Sequence, residues 1–246
     1  MSRYTKQVLL PNVGQKGQEK IFKAKLLVVG LGGIGSPLIR YLVSCGIGNI
    51  DIIDDDIIEE HNLPRQNNYF PNNIDESKVE VTKRLMFELN PQIIVTAYHQ
   101  RLDAKMLSEI IENYDYIIDA SDNFKTKFIC NDLAHQYKKI FISGSFVGYQ
   151  GYVGVYKSGI DSTKPCFRCF HPEDMDMTQS RACYKEGVLS SGVGVVGTFM
   201  AAEIFKEITG VGSSLAGHVM VFDFLQNKHR VVILKKKQQC QCLIEI

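Results

Sequence analysis

Gly30-Leu31-Gly32-Gly33-Ile34-Gly35-Ser36 follows the apolar run Leu26-Leu27-Val28-Val29 and precedes a segment of helical periodicity. Glycines spaced this way fix a strand, a turn and a helix in that order. Gly30 permits the tight turn, Gly32 lets backbone approach a phosphate, and Gly35 lets helix and strand pack closely. The helix start offers unpaired N–H groups and the positive end of its dipole. This points to a nucleotide phosphate, and Gly33 lies within the same loop. Asp54, 24 residues after Gly30 and at the end of the next apolar run, is placed to accept from ribose hydroxyls. Asp55 and Asp56 leave that assignment open by a residue or two. The turn alone does not separate ATP from a dinucleotide.

The first half of the chain alternates apolar β-like runs with helical periods. Strands are expected at Lys25–Gly30, Gly48–Asp54, Ile93–Tyr98, Tyr114–Ala120 and Lys139–Ser143. Helices are expected at Ser36–Cys45, Lys78–Leu89 (stopped by Asn90-Pro91), Ala104–Glu112 and Asn123–Tyr137. Pro37 is tolerated in the first helical turn, where its missing N–H has no partner. Beyond Gly144 the texture changes. Phe146–Lys157 alternates as a strand, and Gly159–Ser191 reads mostly as loop. Val193–Thr209 is a long apolar helix, and Val219–Leu225 with Arg230–Leu234 forms a terminal hairpin. The expected fold is α/β: a doubly wound, Rossmann-like, mostly parallel sheet extended by C-terminal antiparallel strands, in one domain over 1–246. Apolar positions in Val193–Thr209 outnumber what one helix face needs, which suggests a second buried contact.

With 28 basic and 27 acidic residues the net charge is +1, so no bulk field favours nucleic acid or a membrane surface. Lys235-Lys236-Lys237 reads as a solvated strand end. The first residues lack a signal-peptide hydrophobic region, and no 18-residue apolar span is present. A cytoplasmic location follows as the expectation. Seven cysteines in a reducing compartment are then thiols, metal ligands or catalytic groups.

A second motif, Asn62-Leu63-Pro64-Arg65-Gln66, lies about thirty residues past the glycine turn, and Lys78 begins a later helix. Hydride transfer develops no new phosphate charge and needs no cations here. An α-phosphate under attack gains charge on its non-bridging oxygens, which Arg65 can meet with a fork and Lys78 with a point charge. The competing reading makes both solvated surface charges. Asp122 follows the strand Tyr116–Ala120, at the carboxyl edge where open α/β sheets bind ligands, and as a hard oxygen ligand it suits magnesium. It can equally act as an N-cap for the helix that begins near Asn123.

Taken in order, Arg3-Tyr4-x-x-Gln7, Gly17-Gln18-Glu19, the glycine loop, Asn62-Leu63-x-Arg65-Gln66, Lys78, Ser121-Asp122-Asn123, Cys166-x-x-Cys169 and Cys183 resemble the ThiF/MoeB/HesA family. These are bacterial relatives of the catalytic domain of ubiquitin-activating enzymes, and the match covers nearly the whole chain. The resemblance implies ATP-dependent adenylation of the C-terminal glycine carboxylate of a ubiquitin-fold sulfur carrier protein, with release of pyrophosphate. It implies that Asp54 holds the ribose, that Asn62, Arg65, Gln66 and Lys78 surround the phosphates beside Gly30, Gly32, Gly33 and Gly35, and that Asp122 binds magnesium; Asp56 is a further candidate. It divides the domain into a nucleotide-binding half, 1–145, and a carrier and zinc half, 146–246. It also implies a homodimer in which the residue at position 6 reaches the neighbouring subunit's site. That residue is commonly arginine, and Lys6 here keeps the charge without the fork.

Cys166-Phe167-Arg168-Cys169 has the spacing for two thiolates on one tetrahedral zinc, or for a redox pair. The family's second pair corresponds to Cys240-Gln241-Cys242, one residue short and less comfortable for two ligands on one ion. The resemblance implies zinc on Cys166, Cys169, Cys240 and Cys242, with all four sulfurs or three and another ligand as the ligand set. Cys183, between Arg181 and Lys185, matches the family's loop cysteine, a candidate for sulfur transfer from a persulfide donor. Cys45 and Cys130 read as core. Ile53-Asp54-Asp55-Asp56 and Val147-Gly148-Tyr149 look closer to the thiamine branch, which works on a ThiS-like carrier, than to the molybdopterin branch. A nicotinamide-dependent oxidoreductase and a catalytically silent carrier-docking module are the alternatives from other classes.

Overall fold

The computed structural model describes residues 3–171, 187–238 and 240. Its eight strands form one sheet in the order β3-β2-β1-β4-β5-β6-β7-β8. The strands β1 (Lys25–Val29), β2 (Asn49–Ile53), β3 (Ala97–Tyr98), β4 (Tyr116–Asp119) and β5 (Ile140–Val147) run parallel. β6 (Gln150–Tyr156), β7 (His218–Asp223) and β8 (Lys228–Ile233) continue the sheet antiparallel. Strand order reverses between β1 and β4, the switch point at which such sheets open a crevice at their carboxyl edge. The expected doubly wound sheet with an antiparallel extension is therefore present.

Among the described residues the α-helices are α1 (Thr5–Val8), α2 (Gly14–Lys23), α3 (Gly35–Cys45), α4 (Lys78–Leu89), α5 (Ala104–Ile110), α6 (Phe124–Gln136), α7 (Phe167–Phe170) and α8 (Ser190–Thr209). They cover both faces of the sheet, which is why β1 is apolar at consecutive positions. Leu26 and Val28 face one core with Leu38, Leu42, Val196 and Ile204, while Leu27 and Val29 face another with Leu107, Phe128 and Leu133.

The boundaries differ from expectation where side chains compete with the ladder. The third strand shrinks to Ala97–Tyr98 because the Thr96 N–H donates to the Asp51 carboxylate at 3.0 Å. Phe146 does not open a new strand. It completes β5, and the chain reverses at Gly148, whose φ of 58° favours glycine. Periodicity did not reveal α1 and α2. They are fixed at helix ends: Gln7 and Gln18 both donate to the Cys45 carbonyl at the end of α3, at 2.9 and 3.0 Å. Arg3 donates to the Asn90 side chain at 2.8 Å, and Asn90 donates to the Tyr4 hydroxyl at 2.8 Å. The Arg3-Tyr4-x-x-Gln7 and Gln18 motifs thus close the carbonyl ends of α3 and α4.

The apolar excess on α8 is used inside the chain. Val196 and Met200 lie over Gly144 and Gly151 of β5 and β6, and Gly197 lies against Ile34 and Pro37 at the start of α3. α3 and the sheet thus supply a second contact inside the chain, while Val195 of the same helix stays exposed. A Cβ at Gly197 would overlap the Ile34 carbonyl oxygen. Gly197→Ala is expected to cost about 1–3 kcal/mol through overpacking. Urea denaturation of the variant measures it, and an unchanged midpoint would contradict this packing.

Candidate nucleotide site

The glycine turn crosses from β1 to α3 with its backbone pressed between neighbours. Gly30 has φ +90°, and a Cβ there would lie 2.8 Å from the Ser121 nitrogen. Its N–H donates to Ile53 at the end of β2, at 2.9 Å. The Asp54 carboxylate accepts the Leu31 N–H at 2.7 Å and the Asp56 N–H at 2.9 Å. Burial holds the Asp54 carboxyl above the usual carboxylate range, with the positive charge of Lys78 opposing that rise. Asp54 therefore shapes the turn as well as offering further lone pairs toward the crevice. Among the described residues, the N–H groups of Gly32, Gly33 and Ile34 donate to nothing, leaving the donor set that a helix N-terminus offers an anion.

Asn62–Gln66 packs beside this turn. Asn62 is buried in a one-turn 3-10 helix, where its side chain accepts the Glu59 N–H at 3.2 Å. Its carbonyl accepts from Arg65 and Gln66, folding the motif on itself. The Arg65 carbonyl lies next to Gly33, and the Gln66 amide nitrogen next to Gly32. The Arg65 guanidinium donates to the His61 carbonyl at 2.6 Å and keeps its remaining donors. Gln66 is 4% exposed, yet its amide oxygen has no partner among the described residues. A buried, unpaired acceptor beside a row of unpaired N–H groups fits a polar ligand such as a nucleotide.

Lys78 is not a solvated charge: it is 4% exposed, at the start of α4. Its ammonium contacts the exposed Asp56 carboxylate at 2.7 Å. Asp56 thus holds the lysine, so both candidates belong to one ion pair at the rim of the turn.

The end of β4 carries a group that sequence reading missed. Lys127 of α6 is buried and pairs with the fully buried Asp119 at 2.5 Å, donating also to the Gly144 carbonyl at 2.9 Å. Asp119 further accepts from the Ser143 hydroxyl at 2.9 Å and from the hydroxyl and N–H of Ser121. This network fixes the peptide that leads into Asp122. Asn123, not Asp122, caps α6, accepting the Lys125 N–H at 2.9 Å. Asp122 is exposed and has no partner among the described residues, so its carboxylate is open to a cation. β4 is buried at consecutive positions rather than in alternation, and nothing in the sequence signals that Asp119 pairs with Lys127.

Away from the turn, three sulfurs converge. Cys166, Cys169 and Cys240 lie 3.3, 3.6 and 3.8 Å apart. Sulfurs on one tetrahedral zinc at about 2.3 Å stand roughly 3.8 Å from one another, so the trio fits such an ion. The Phe167 N–H donates to Asn131 at 2.8 Å, and Arg168 forks onto Asp132 at 2.8 and 2.6 Å, joining this knuckle to α6. Cys242 and Cys183 lie outside the described residues. Lys6 is exposed on α1, and nothing among the described residues brings it to the turn. Burial raises the thiols of Cys130 and Cys45, the latter to about 11, which suits inert core cysteines.

A mostly parallel sheet that gathers these groups at its switch point defines a nucleotide-binding α/β protein. The chain belongs to the ThiF family, whose model matches residues 4–244, and it is an adenylyltransferase. A sulfur carrier protein adenylyltransferase of Thermus thermophilus is 36% identical over 242 residues, 98% of this chain and 89% of that protein. A probable molybdopterin-synthase adenylyltransferase of Pyropia yezoensis is 41% identical over 240 residues, 95% of this chain and 62% of that protein. The chain spans about half the length of several other curated relatives that it matches. The crystal structure of E. coli MccB with ATP superposes with a TM-score of 0.86 at 23% identity, covering 98% of this chain and 73% of that one, a likeness of fold. No helix among the described residues is long and apolar enough to cross a membrane.

Replacing Lys127 by Met leaves the fully buried Asp119 without its counter-ion. The expected loss of stability is about 3–5 kcal/mol. Chemical denaturation at neutral pH measures it, and a loss below about 1 kcal/mol would show that the pair is dispensable.

Proposed function

We propose that this protein uses ATP to adenylate the C-terminal glycine carboxylate of a ubiquitin-fold sulfur carrier protein, releasing pyrophosphate. The observation that carries the reading is the meeting of the free N–H row at Gly32, Gly33 and Ile34 with the Asn62–Gln66 segment. The Lys78–Asp56 pair and the open carboxylate of Asp122 support it. The carrier carboxylate is ionised at neutral pH and needs no general base. Its oxygen bonds to the α-phosphorus as the bond to the pyrophosphate oxygen breaks. Arg65 and Lys78 meet the charge that gathers on the phosphate oxygens, while Gly30 and Gly35 let the turn approach closely. Asp54 takes the ribose, and Gln66 offers its unpaired oxygen to the nucleotide. Magnesium on Asp122 would neutralise phosphate charge.

On this reading one cytoplasmic domain divides into a nucleotide half, 1–145, and a carrier and zinc half, 146–246. Cys166, Cys169, Cys240 and Cys242 would hold zinc, tying the C-terminal segment to the knuckle on α6. Metal analysis of purified protein is expected to find about one zinc per chain. A folded preparation without zinc would remove this part. Cys183 is the thiol we assign to sulfur transfer with a persulfide donor, and a homodimer would bring Lys6 to the partner's site. We favour the thiamine branch on Ile53–Asp56 and Val147–Tyr149. The name of the Pyropia relative keeps the molybdopterin branch as the second reading.

Exchange of labelled pyrophosphate into ATP, run with a ThiS-like carrier and with a molybdopterin-synthase carrier, tests the proposal. The thiamine-branch carrier is expected to support exchange, and Arg65→Ala to lower it about 100-fold without loss of fold. Exchange with neither carrier would refute carrier adenylation, and exchange with the molybdopterin carrier alone would reverse the branch.

A further inference from the structure

We propose that Tyr69 is a positioning residue for the nucleotide site: its hydroxyl clamps the Leu31 carbonyl and thereby aims the Gly32 N–H into the crevice. The inference rests on the ATP reading above. Tyr69 is 4% exposed and follows the Asn62–Gln66 motif by three residues. Its hydroxyl donates to the Leu31 carbonyl oxygen at 2.9 Å. That uses its one proton, so the bond with Thr82 at 3.2 Å runs from the threonine hydroxyl to the tyrosine oxygen. Thr82 is fully buried on α4 behind the phenol, and its bond does not set the direction of the Tyr69 proton. Burial pushes the phenol well above its ordinary range, so it remains a donor across physiological pH.

The Leu31 peptide groups are thus held from two elements, the N–H by Asp54 after β2 and the carbonyl by Tyr69. A trans peptide is planar, with its N–H directed opposite its carbonyl. Fixing the Leu31 oxygen toward Tyr69 therefore turns the Gly32 N–H away from the core, where among the described residues it meets no acceptor. The clamp is needed because glycine flanks this peptide. Without a Cβ, Gly32 rotates at little steric cost, since even a Cβ there would make no more than ordinary contact with the Gln66 amide. The remaining contact on the Leu31 oxygen, from Ser36 at 3.4 Å, is too long to hold the plane alone.

The test compares wild type, Tyr69→Phe and Thr82→Val by calorimetric titration with ATP and with adenosine, alongside thermal melting. Tyr69→Phe keeps the ring and its packing. It is expected to weaken ATP about 10-fold while adenosine, which has no phosphate for the Gly32 N–H to meet, stays within about twofold. Thr82→Val keeps the Tyr69–Leu31 bond and is expected to leave both affinities within about twofold. Unchanged ATP affinity in Tyr69→Phe overturns the proposal. So does equal weakening of both ligands, or a variant that fails to fold, since either assigns the hydroxyl to general architecture. Failure of the wild type to bind ATP would instead refute the nucleotide reading itself.

Discussion

The α-carbon of Gly35 lies against the carbonyl oxygen of Gly30, where any Cβ would overlap it. That approach sets how steeply α3 leaves the sheet, and hence where its first N–H groups face. Everything else at the carboxyl edge is arranged around it. β2 supplies Asp54 beneath the turn, β4 supplies Ser121 against Gly30, and the Asn62–Gln66 segment closes the far side. Leu31 and Ile34 anchor the turn in the core, and the glycines between and beside them are braced by backbone and side chains of the neighbouring elements.

Charge follows the same economy of placement. Lys78 and Lys127 are both buried, and each meets one carboxylate, but the two pairs differ in kind. Asp119 is fully enclosed, so its pair with Lys127 locks the end of β4 to α6 and to Ser143. Asp56 is exposed, so water screens its hold on Lys78, and an incoming anion can compete for the lysine. One pair is built to stay and the other to be shared.

Much of this was legible before any coordinates. The bounds of α4 match expectation because Asn90-Pro91 cannot continue a helix, and the glycine spacing located the turn. Cys240 was reached through family resemblance, since a lone C-x-x-C spacing leaves its partners unspecified. What stayed hidden depended on contacts between distant segments. Lys127 needs Asp119 and Gly144 to explain it, and Tyr69 reads as one more core aromatic until its hydroxyl is seen on Leu31. The apolar surplus of α8 was visible, but composition could not say that α3 and the sheet would share it. The short helices α1 and α2 escaped notice because polar bonds to helix ends hold them, and such bonds leave no periodic trace.

The sheet has two unequal margins. β3 is a two-residue edge, too short to template another strand, whereas β8 offers six residues with Val231 and Ile233 exposed. An apolar margin of that length, with no further strand beside it among the described residues, invites edge-to-edge aggregation. Lys228 and Arg230 stand on the same strand, and Lys235, Lys236 and Lys237 follow it, so two such margins brought together would confront each other with matching positive charge. Charge on an exposed edge works against such pairing, and here that charge is local, since the net charge of the whole sequence is only +1.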